Sequence, residues 1–258
     1  SGIKPDLSLA LGTHVMSPLQ VATGYAMLAN GGYRVEPFLI QRIDNIAGDT
    51  VFQANPLSVC RSCDQPGAHE APEEELTMEQ ILAAGEAAPP ALPQAPRVME
   101  ERANFIINSI LRDVITRGTG RRALVLERGD LAGKTGTTNG PMDAWFSGYN
   151  PDVVTTTWVG FDNYTPLGRK EFGGTAALPI WIDFMRVALD GSPERERPLP
   201  AGIVNVKIDP DTGLLATSNQ RNAIFEYFRT EHVPAQGLGE GGPGSGSLGT
   251  DDLVQDIF

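Results

Sequence analysis

The sequence is poor in the residues that build metal centres and disulfide frameworks. Only two of its 258 residues are cysteines and only three are histidines, and both cysteines lie in one stretch, Cys60-Arg61-Ser62-Cys63. No second cysteine pair exists to complete a four-thiolate zinc site. The pair itself fits a redox couple, half of a metal site or a local disulfide, and these interpretations stay open. We expect no metal ion and no other cofactor.

Basic residues and long apolar runs are also scarce. The 20 basic side chains stand against 32 acidic ones, which gives a formal net charge of −12. A phosphate-binding surface needs the opposite balance, so we expect no nucleic acid partner. No apolar run reaches the length of a membrane-spanning helix, and Ser1–Lys4 does not begin a signal peptide. The 41% hydrophobic content is nevertheless enough for a folded core.

The N-terminal part carries the clearest helix signal. Ser17 suits the N-cap and Pro18 the first helical position, and apolar residues then recur at helical spacing up to Gly31. Two segments after it, Phe38–Ile43 and Thr50–Gln53, predict a pair of antiparallel strands around a turn. A Pro/Ala/Glu-rich stretch follows, which we expect to be a poorly ordered surface insertion with one helical segment near Met78–Ala84.

Regular patterns return in the second half of the chain. Amphipathic spacing predicts a helix through Phe105–Val114 that Gly118 ends, and another over Leu178–Leu189. Between them we predict strands over Leu131–Thr138, Asp143–Tyr149 and Val153–Gly160, with a further strand over Ile203–Ile208 and a turn over Asp209–Gly213. This order predicts an α+β fold, an antiparallel sheet flanked by helices. The predicted regions are residues 1–53, the insertion 54–96, residues 97–190, a C-terminal extension 191–233 and a flexible Gly/Ser-rich tail 234–258.

The most informative stretch is Lys134-Thr135-Gly136-Thr137-Thr138. It lies between the end of one predicted strand and a turn at Asn139-Gly140-Pro141. A lysine, two hydroxyls and a glycine on an exposed strand can polarise a reacting group, bind an anionic ligand end and let a substrate backbone approach. This is the K-T-G element of enzymes that also need S-x-x-K and S-x-N elements. We identify neither of these two elements in the sequence. Ser1-Gly2-Ile3-Lys4 has the spacing of S-x-x-K, but it lacks the helical context that this element needs.

Several flanking stretches appear in the order of one family. They are Ser8–Thr13 with Ser17–Gln20, Tyr25–Tyr33, Arg117–Ala123 with Leu131–Thr138, and Asp143–Gly148 with Trp158–Asp162. Through these residues the chain resembles the transpeptidase domain of class A (bifunctional) penicillin-binding proteins of the 1a subtype. The resemblance extends to about Pro234, apart from the insertion. It implies the C-terminal part of the fold that these proteins share with serine β-lactamases.

The resemblance also implies an activity and a location. The intact enzyme would cross-link peptidoglycan stem peptides by serine acyl transfer and would be inhibited by β-lactams. The nucleophile would lie in an upstream segment of the same protein, so we expect this chain to be inactive alone. The parent would also carry a glycosyltransferase domain and a membrane anchor on the periplasmic face of the bacterial inner membrane. In that oxidising compartment we expect Cys60 and Cys63 to form a local disulfide.

By the same resemblance, Lys134 would lie near the missing serine pair and favour its deprotonation. The hydroxyls of Thr135 and Thr137, on one face of the strand by period-two alternation, would bind the substrate carboxylate. The backbone N–H of Thr137 would be an oxyanion-hole donor. Gly136 would stay small so that substrate can approach the strand. Thr138 is a further candidate for lining the site.

Aromatic residues on the adjacent strands have two interpretations. Trp145 is a candidate for the substrate groove, whereas we assign Phe146 to the core. The segment Gly129–Thr135 resembles a phosphate-binding loop, but it is one residue short and a strand follows it, so we reject nucleotide binding. Two alternatives to the transpeptidase stay open: a D,D-carboxypeptidase or β-lactamase on the same fold, and a non-catalytic module that binds peptide carboxylates.

Overall fold

A computed structural model of the chain describes Leu7, Leu9, Gly12, residues 14–59 and residues 93–237. Its contacts form two compact units, Ser1–Ala201 and Gly202–Phe258. The predicted cysteine pair, the helical segment near Met78 and most of the ranges 54–96 and 234–258 lie outside the described residues. Those expectations, and the predicted region boundaries, stay predictions.

The first unit contains the α-helices and most of the strands among the described residues. In chain order they are α1 (Pro18–Ala29), β1 (Arg42–Asp44), β2 (Thr50–Gln53), α2 (Glu101–Thr116), a 3-10 helix (Arg121–Leu126), β3 (Ala132–Thr137), β4 (Asp143–Tyr149), β5 (Val154–Gly160), a π-helix (Gly173–Ala177) and α3 (Leu178–Ala188). None of the helices in the described ranges has both the length and the apolar content that a membrane crossing requires.

The central sheet is antiparallel and has the order β3-β4-β5. Its strands follow one another in the chain, and β5 is rich in β-branched valine and threonine, which suit a pleated surface. The register runs without interruption from Ala132↔Tyr149 to Thr137↔Ala144 between the first two strands. The strand that carries the K-T-G motif is therefore an edge strand of this sheet.

Helices cover both faces of the sheet. On one face Phe146 is fully buried against Trp181 of α3, with the ring centroids 5.0 Å apart in an edge-on arrangement. On the other face Ala132 and Tyr149 pack with Ala29 of α1. Full burial of one large apolar side chain contributes roughly 1.5 to 3 kcal/mol, so both layers stabilise the sheet. The predicted α+β class with an antiparallel sheet flanked by helices is confirmed, as is the core position of Phe146.

The start and end of α1 follow from its sequence. The Ser17 hydroxyl oxygen accepts from the Gln20 N–H at 3.3 Å, and the Gln20 side-chain oxygen accepts from the Ser17 N–H at 2.8 Å. This reciprocal pair is a capping box. Gly31 and Gly32 follow the C-cap with φ angles of 101° and 100°, a region in which other residues are strained. The predicted helix and its glycine stop are confirmed.

The strand predicted over Phe38–Ile43 is wrong at its start. β1 begins only at Arg42, because its partner β2 is short and the pairing ends at Arg42↔Gln53. The apolar side chains before Arg42 are exposed, Leu39 fully so. Apolar content therefore indicated a strand where, among the described residues, β2 does not extend far enough to pair.

The second unit contains a two-stranded antiparallel sheet, β6 (Ile203–Ile208) and β7 (Ile224–Arg229), and a short 3-10 helix (Thr230–His232). The strand predicted over Ile203–Ile208 is confirmed, and Gly213 has the positive φ expected of the turn that follows it (71°). The strand β7 was not predicted, because Ile224-Phe225-Glu226-Tyr227-Phe228 lacks a strict alternation of apolar and polar residues.

Candidate active site

One threonine closes the hairpin at the end of the K-T-G strand. The Thr138 hydroxyl oxygen accepts hydrogen bonds from the backbone N–H groups of Met142 (3.1 Å) and Asp143 (2.9 Å). The Thr138 N–H donates in turn to the Asp143 carbonyl oxygen at 3.1 Å. Successive N–H groups of a strand point in opposite directions, so the N–H of Thr137 points away from β4 and toward the free edge.

The free edge borders a cavity of about 940 Å³. All the predicted site residues line it: Lys134, Thr135, Gly136, Thr137, Thr138 and Trp145. Trp158 of β5, an aromatic residue that could belong to the groove or to the core, also lines the cavity. So do Tyr25 of α1 and Ser147 of β4, which were not predicted as site residues. A concave space that combines a cation, hydroxyls and aromatic rings has the composition of a small-molecule site.

Lys134 contributes a positive charge at the mouth of this cavity. Its Nζ atom donates to the carbonyl oxygen of Thr135 at 3.0 Å and lies 3.5 Å from the Thr135 hydroxyl. The cross-strand neighbour of Lys134 is Ser147, which is buried and accepts a hydrogen bond from the Thr156 hydroxyl at 3.0 Å. The ammonium group is therefore held close to the threonine hydroxyl rather than inside the sheet.

The two threonine hydroxyls of the motif have different neighbours. The Thr135 hydroxyl lies 2.7 Å from the hydroxyl of Thr119, in the turn between α2 and the 3-10 helix. The Thr137 hydroxyl oxygen accepts from the backbone N–H of Gly173 at 3.0 Å, at the start of the π-helix. Neither Thr119 nor Gly173 was predicted as a site residue. The only hint was the stretch Arg117-Gly118-Thr119-Gly120 among the family-like segments.

The glycine of the motif lies in a crowded place. A Cβ atom at Gly136 would be 3.1 Å from the Cβ of Trp145, its cross-strand neighbour. A side chain at this position would therefore press on Trp145 within the sheet, apart from any effect on a substrate. The Trp145 ring also contacts Trp158, with centroids 6.1 Å apart, and the Trp158 indole N–H donates to Asp143 at 2.8 Å. Trp145 and Trp158 therefore form an aromatic surface next to the K-T-G motif.

A buried ion pair anchors the chain just before β3. Arg128 donates to both carboxylate oxygens of Asp130, at 2.9 and 2.8 Å, and the Asp130 side chain is only 2% exposed. Burial has the largest single effect on the pKa of Asp130 and raises it. Hydrogen bonds from Arg128, Asn150 and the Arg195 backbone together outweigh burial, so this pKa lies below its usual value.

The loop before Lys134 does not form a phosphate-binding site. β3 follows this loop directly, so no helix N-terminus is available to supply donors to an anion. Among the described residues there is also no cluster of three or more His, Cys, Asp or Glu side chains that could hold a metal ion.

Known proteins of one family are similar to this chain in sequence. A family model described as the penicillin binding protein transpeptidase domain matches residues 4–186. Penicillin-binding protein 1A of Pseudomonas aeruginosa is 44% identical over 256 residues, which cover 93% of this chain and 31% of that protein. The same-named protein of Vibrio cholerae is 37% identical over 259 residues, covering 90% of this chain and 30% of that protein.

A solved structure is similar as well. The crystal structure of penicillin-binding protein 1A from Haemophilus influenzae superposes with a TM-score of 0.74 at 36% sequence identity, covering 90% of this chain and 34% of that one. The chain therefore spans about a third of the length of each of these three relatives.

Proposed function

The chain belongs to the penicillin-binding protein transpeptidase family, and on that basis we propose that it completes the active site of a peptidoglycan D,D-transpeptidase. A serine would attack the penultimate carbonyl of a stem pentapeptide, and D-alanine would leave with a proton. An amino group of a second stem peptide would then take the acyl group and release the serine. β-Lactams would acylate the same serine. The observation that carries this proposal is the placement of Lys134, Thr135 and Thr137 on the free edge of β3, beside the cavity.

Lys134 would supply the positive potential that acyl transfer needs. Its ammonium group is exposed at the cavity and would lower the free energy of a developing serine alkoxide. It would also attract the C-terminal carboxylate of the substrate. Electrostatic groups aimed at developing charge are commonly the largest contribution to catalysis.

Thr135 and Thr137 would bind the substrate carboxylate through their hydroxyls. Because the Gly173 N–H can only donate, the Thr137 oxygen is the acceptor of that bond and its own proton stays available for a ligand. The Thr137 N–H points to the free edge, where it would form part of an oxyanion hole. One such donor contributes roughly 3 kcal/mol to transition-state stabilisation. Thr138 and Trp145 would line the site, and Gly136 would admit the substrate backbone.

The nucleophilic serine would come from a segment upstream of this chain. In the described part of the chain, Ser147 is the one serine at the cavity, but it is 4% exposed and its oxygen already accepts from Thr156. We further propose that the full-length protein carries a glycosyltransferase domain and a membrane anchor. The transpeptidase domain would then act on the periplasmic face of the inner membrane.

The test is acylation of the full-length protein by a fluorescent penicillin, followed by mass mapping of the adduct. Lys134→Ala should lower the acylation rate about 100-fold. Lys207→Ala, a strand lysine of the second unit, is the matched control and should react normally. Ser147→Ala should also react normally. An adduct on Ser147, or its loss in Ser147→Ala, would show that the nucleophile lies in this chain and overturn the upstream assignment.

The same preparation distinguishes the alternative functions. A transpeptidase should form cross-linked stem-peptide dimers when given lipid-linked peptidoglycan precursor. A carboxypeptidase would release D-alanine without dimers, and a β-lactamase would hydrolyse the penicillin with turnover. A folded protein that binds a D-Ala-D-Ala peptide but never forms an adduct would be a binding module, and the proposed function would be wrong.

A further inference from the structure

Thr119 contacts the K-T-G strand although it lies outside the motif. Its hydroxyl is 2.7 Å from the Thr135 hydroxyl, and Lys134 Nζ approaches the same Thr135 oxygen at 3.5 Å. A hydroxyl has one proton to donate and two lone pairs that accept. The lysine can only donate to the Thr135 oxygen, whereas the contact with Thr119 uses either the second lone pair or the proton of Thr135.

The turn that carries Thr119 is tightly held. The Gly120 N–H donates to the Val114 carbonyl oxygen at 2.8 Å, which closes the end of α2. A Cβ atom at Gly118 would lie 2.8 Å from the Val114 Cα, and one at Gly120 would lie 3.1 Å from the Val114 carbonyl oxygen. Both glycines thus let the turn lie against the helix, and this fixes the position of Thr119 between them.

The π-helix holds the turn from its other side. A Cβ atom at Gly174 would lie 3.3 Å from the Thr119 carbonyl oxygen and 3.9 Å from the Thr135 methyl group. Arg122, in the 3-10 helix that follows the turn, donates to the Gly174 carbonyl oxygen at 3.3 Å. The backbone of the turn therefore lies against both α2 and the π-helix, and the exposed Thr119 side chain reaches the Thr135 hydroxyl of β3.

We propose that Thr119 is a positioning residue that makes Thr135 a hydrogen-bond donor to the substrate carboxylate. When the Thr119 hydroxyl donates to the Thr135 oxygen and Lys134 approaches that oxygen as well, the remaining Thr135 proton points to the ligand. Thr119 then does for Thr135 what the Gly173 N–H does for Thr137. This inference rests on the proposed function, because it requires a carboxylate ligand at the K-T-G edge.

The proposal is tested by acylation kinetics of the full-length protein. Thr119→Val keeps the shape of the side chain but removes the hydroxyl, and it should slow acylation by a carboxylate-bearing fluorescent penicillin about tenfold, the effect of one hydrogen bond to a charged group. Thr119→Ser should restore the rate to within about twofold. Thr135→Val should remove the effect, so that the double variant is no slower than Thr135→Val alone.

A penicillin methyl ester separates positioning from a structural role. The ester has no carboxylate for Thr135 to bind, so wild type and Thr119→Val should react with it at equal rates. An equal loss with acid and ester, or failure of Thr119→Ser to restore the rate, would overturn the proposal. Thermal melting checks that the variants fold, and Thr119→Ala replaces Thr119→Val if the latter does not. If folded wild type forms no adduct with any penicillin, it is the proposed function that fails.

Discussion

The hydroxyl of Thr137 and the backbone N–H of Gly173 are joined by a hydrogen bond of 3.0 Å that links the K-T-G strand to the π-helix. Gly173 lies almost in contact with the strand pair below it, since a Cβ atom there would be 2.4 Å from the Trp145 carbonyl oxygen and 2.6 Å from the Gly136 carbonyl oxygen. π-Helices are rare and occur often at functional sites. Here the π-helix brings a backbone donor onto a side chain of the candidate site.

We expect Gly173→Ala to damage the site more than the fold. The added methyl group must displace the π-helix from the strand, and a shift of about 1 Å at a catalytic group can cost about 100-fold in rate. Acylation by a fluorescent penicillin should fall by that order, whereas overpacking should lower the unfolding free energy by only about 2 kcal/mol.

Gly24→Ala is the matched control for this prediction. Gly24 lies inside α1, where a Cβ atom would meet nothing within 4 Å. Alanine there should stabilise the protein by roughly 0.5 to 1 kcal/mol and leave acylation unchanged. Normal acylation of Gly173→Ala would show that the contact between the π-helix and the strand does not position the site.

The elements around this contact differ in how well sequence predicts them. The K-T-G strand and its return strand were predicted because their residue types and the turn between them act locally. Thr119 and Gly173 were missed because their roles depend on contacts with residues 16 and 36 positions away in the chain. No local pattern encodes such a contact. The glycines around them were visible, but only the structure shows what each of them lies against.

Tyr149→Phe should destabilise the layer formed by α1, α2 and the sheet. The Tyr149 hydroxyl donates to the Asn108 side-chain oxygen at 2.7 Å, and both side chains are almost fully buried. Burial raises the pKa of Tyr149, so the hydroxyl stays a donor at neutral pH. Its loss leaves a buried acceptor without that donor and should cost about 1 to 2 kcal/mol in a denaturant titration.

The exposed Tyr164 supplies the control for that measurement. Its side chain is 69% exposed, so Tyr164→Phe should change the unfolding free energy by less than about 0.5 kcal/mol. Equal stability of the two variants would mean that the bond between Tyr149 and Asn108 contributes nothing net.

Ser17→Ala should weaken the start of α1. It removes the hydroxyl oxygen that accepts from the Gln20 N–H, and loss of such a cap costs about 1 kcal/mol. Thr23→Ala, in the interior of the same helix, removes a hydroxyl that donates to the Leu19 carbonyl oxygen, four residues earlier. Alanine is the better helix former there, so this variant should be as stable as wild type or more so. A smaller loss for Ser17→Ala than for Thr23→Ala in thermal melts would contradict the capping role.

Asp130→Asn should cost about 3 kcal/mol at neutral pH, because it leaves Arg128 buried without its charged partner. Asp183→Asn, which breaks an exposed pair with Arg186, should cost less than about 1 kcal/mol. Burying the Asp130 carboxyl favours its neutral form, yet the hydrogen bonds from Arg128, Asn150 and the Arg195 backbone hold its folded-state pKa below the unfolded value.

The stability that Asp130 contributes depends on pH, because its folded-state pKa lies below its unfolded value. The contribution of Asp130 is fully present above the unfolded value of about 3.9. It is lost as the pH falls through the lower, folded-state pKa, where the folded protein takes up the proton. The gap in unfolding free energy between wild type and Asp130→Asn should therefore be constant from about pH 5 to 7 and close below about pH 4. Denaturant titrations across this range measure the gap directly, and a gap that stays constant down to the acid limit would contradict the assignment of a charged, paired Asp130.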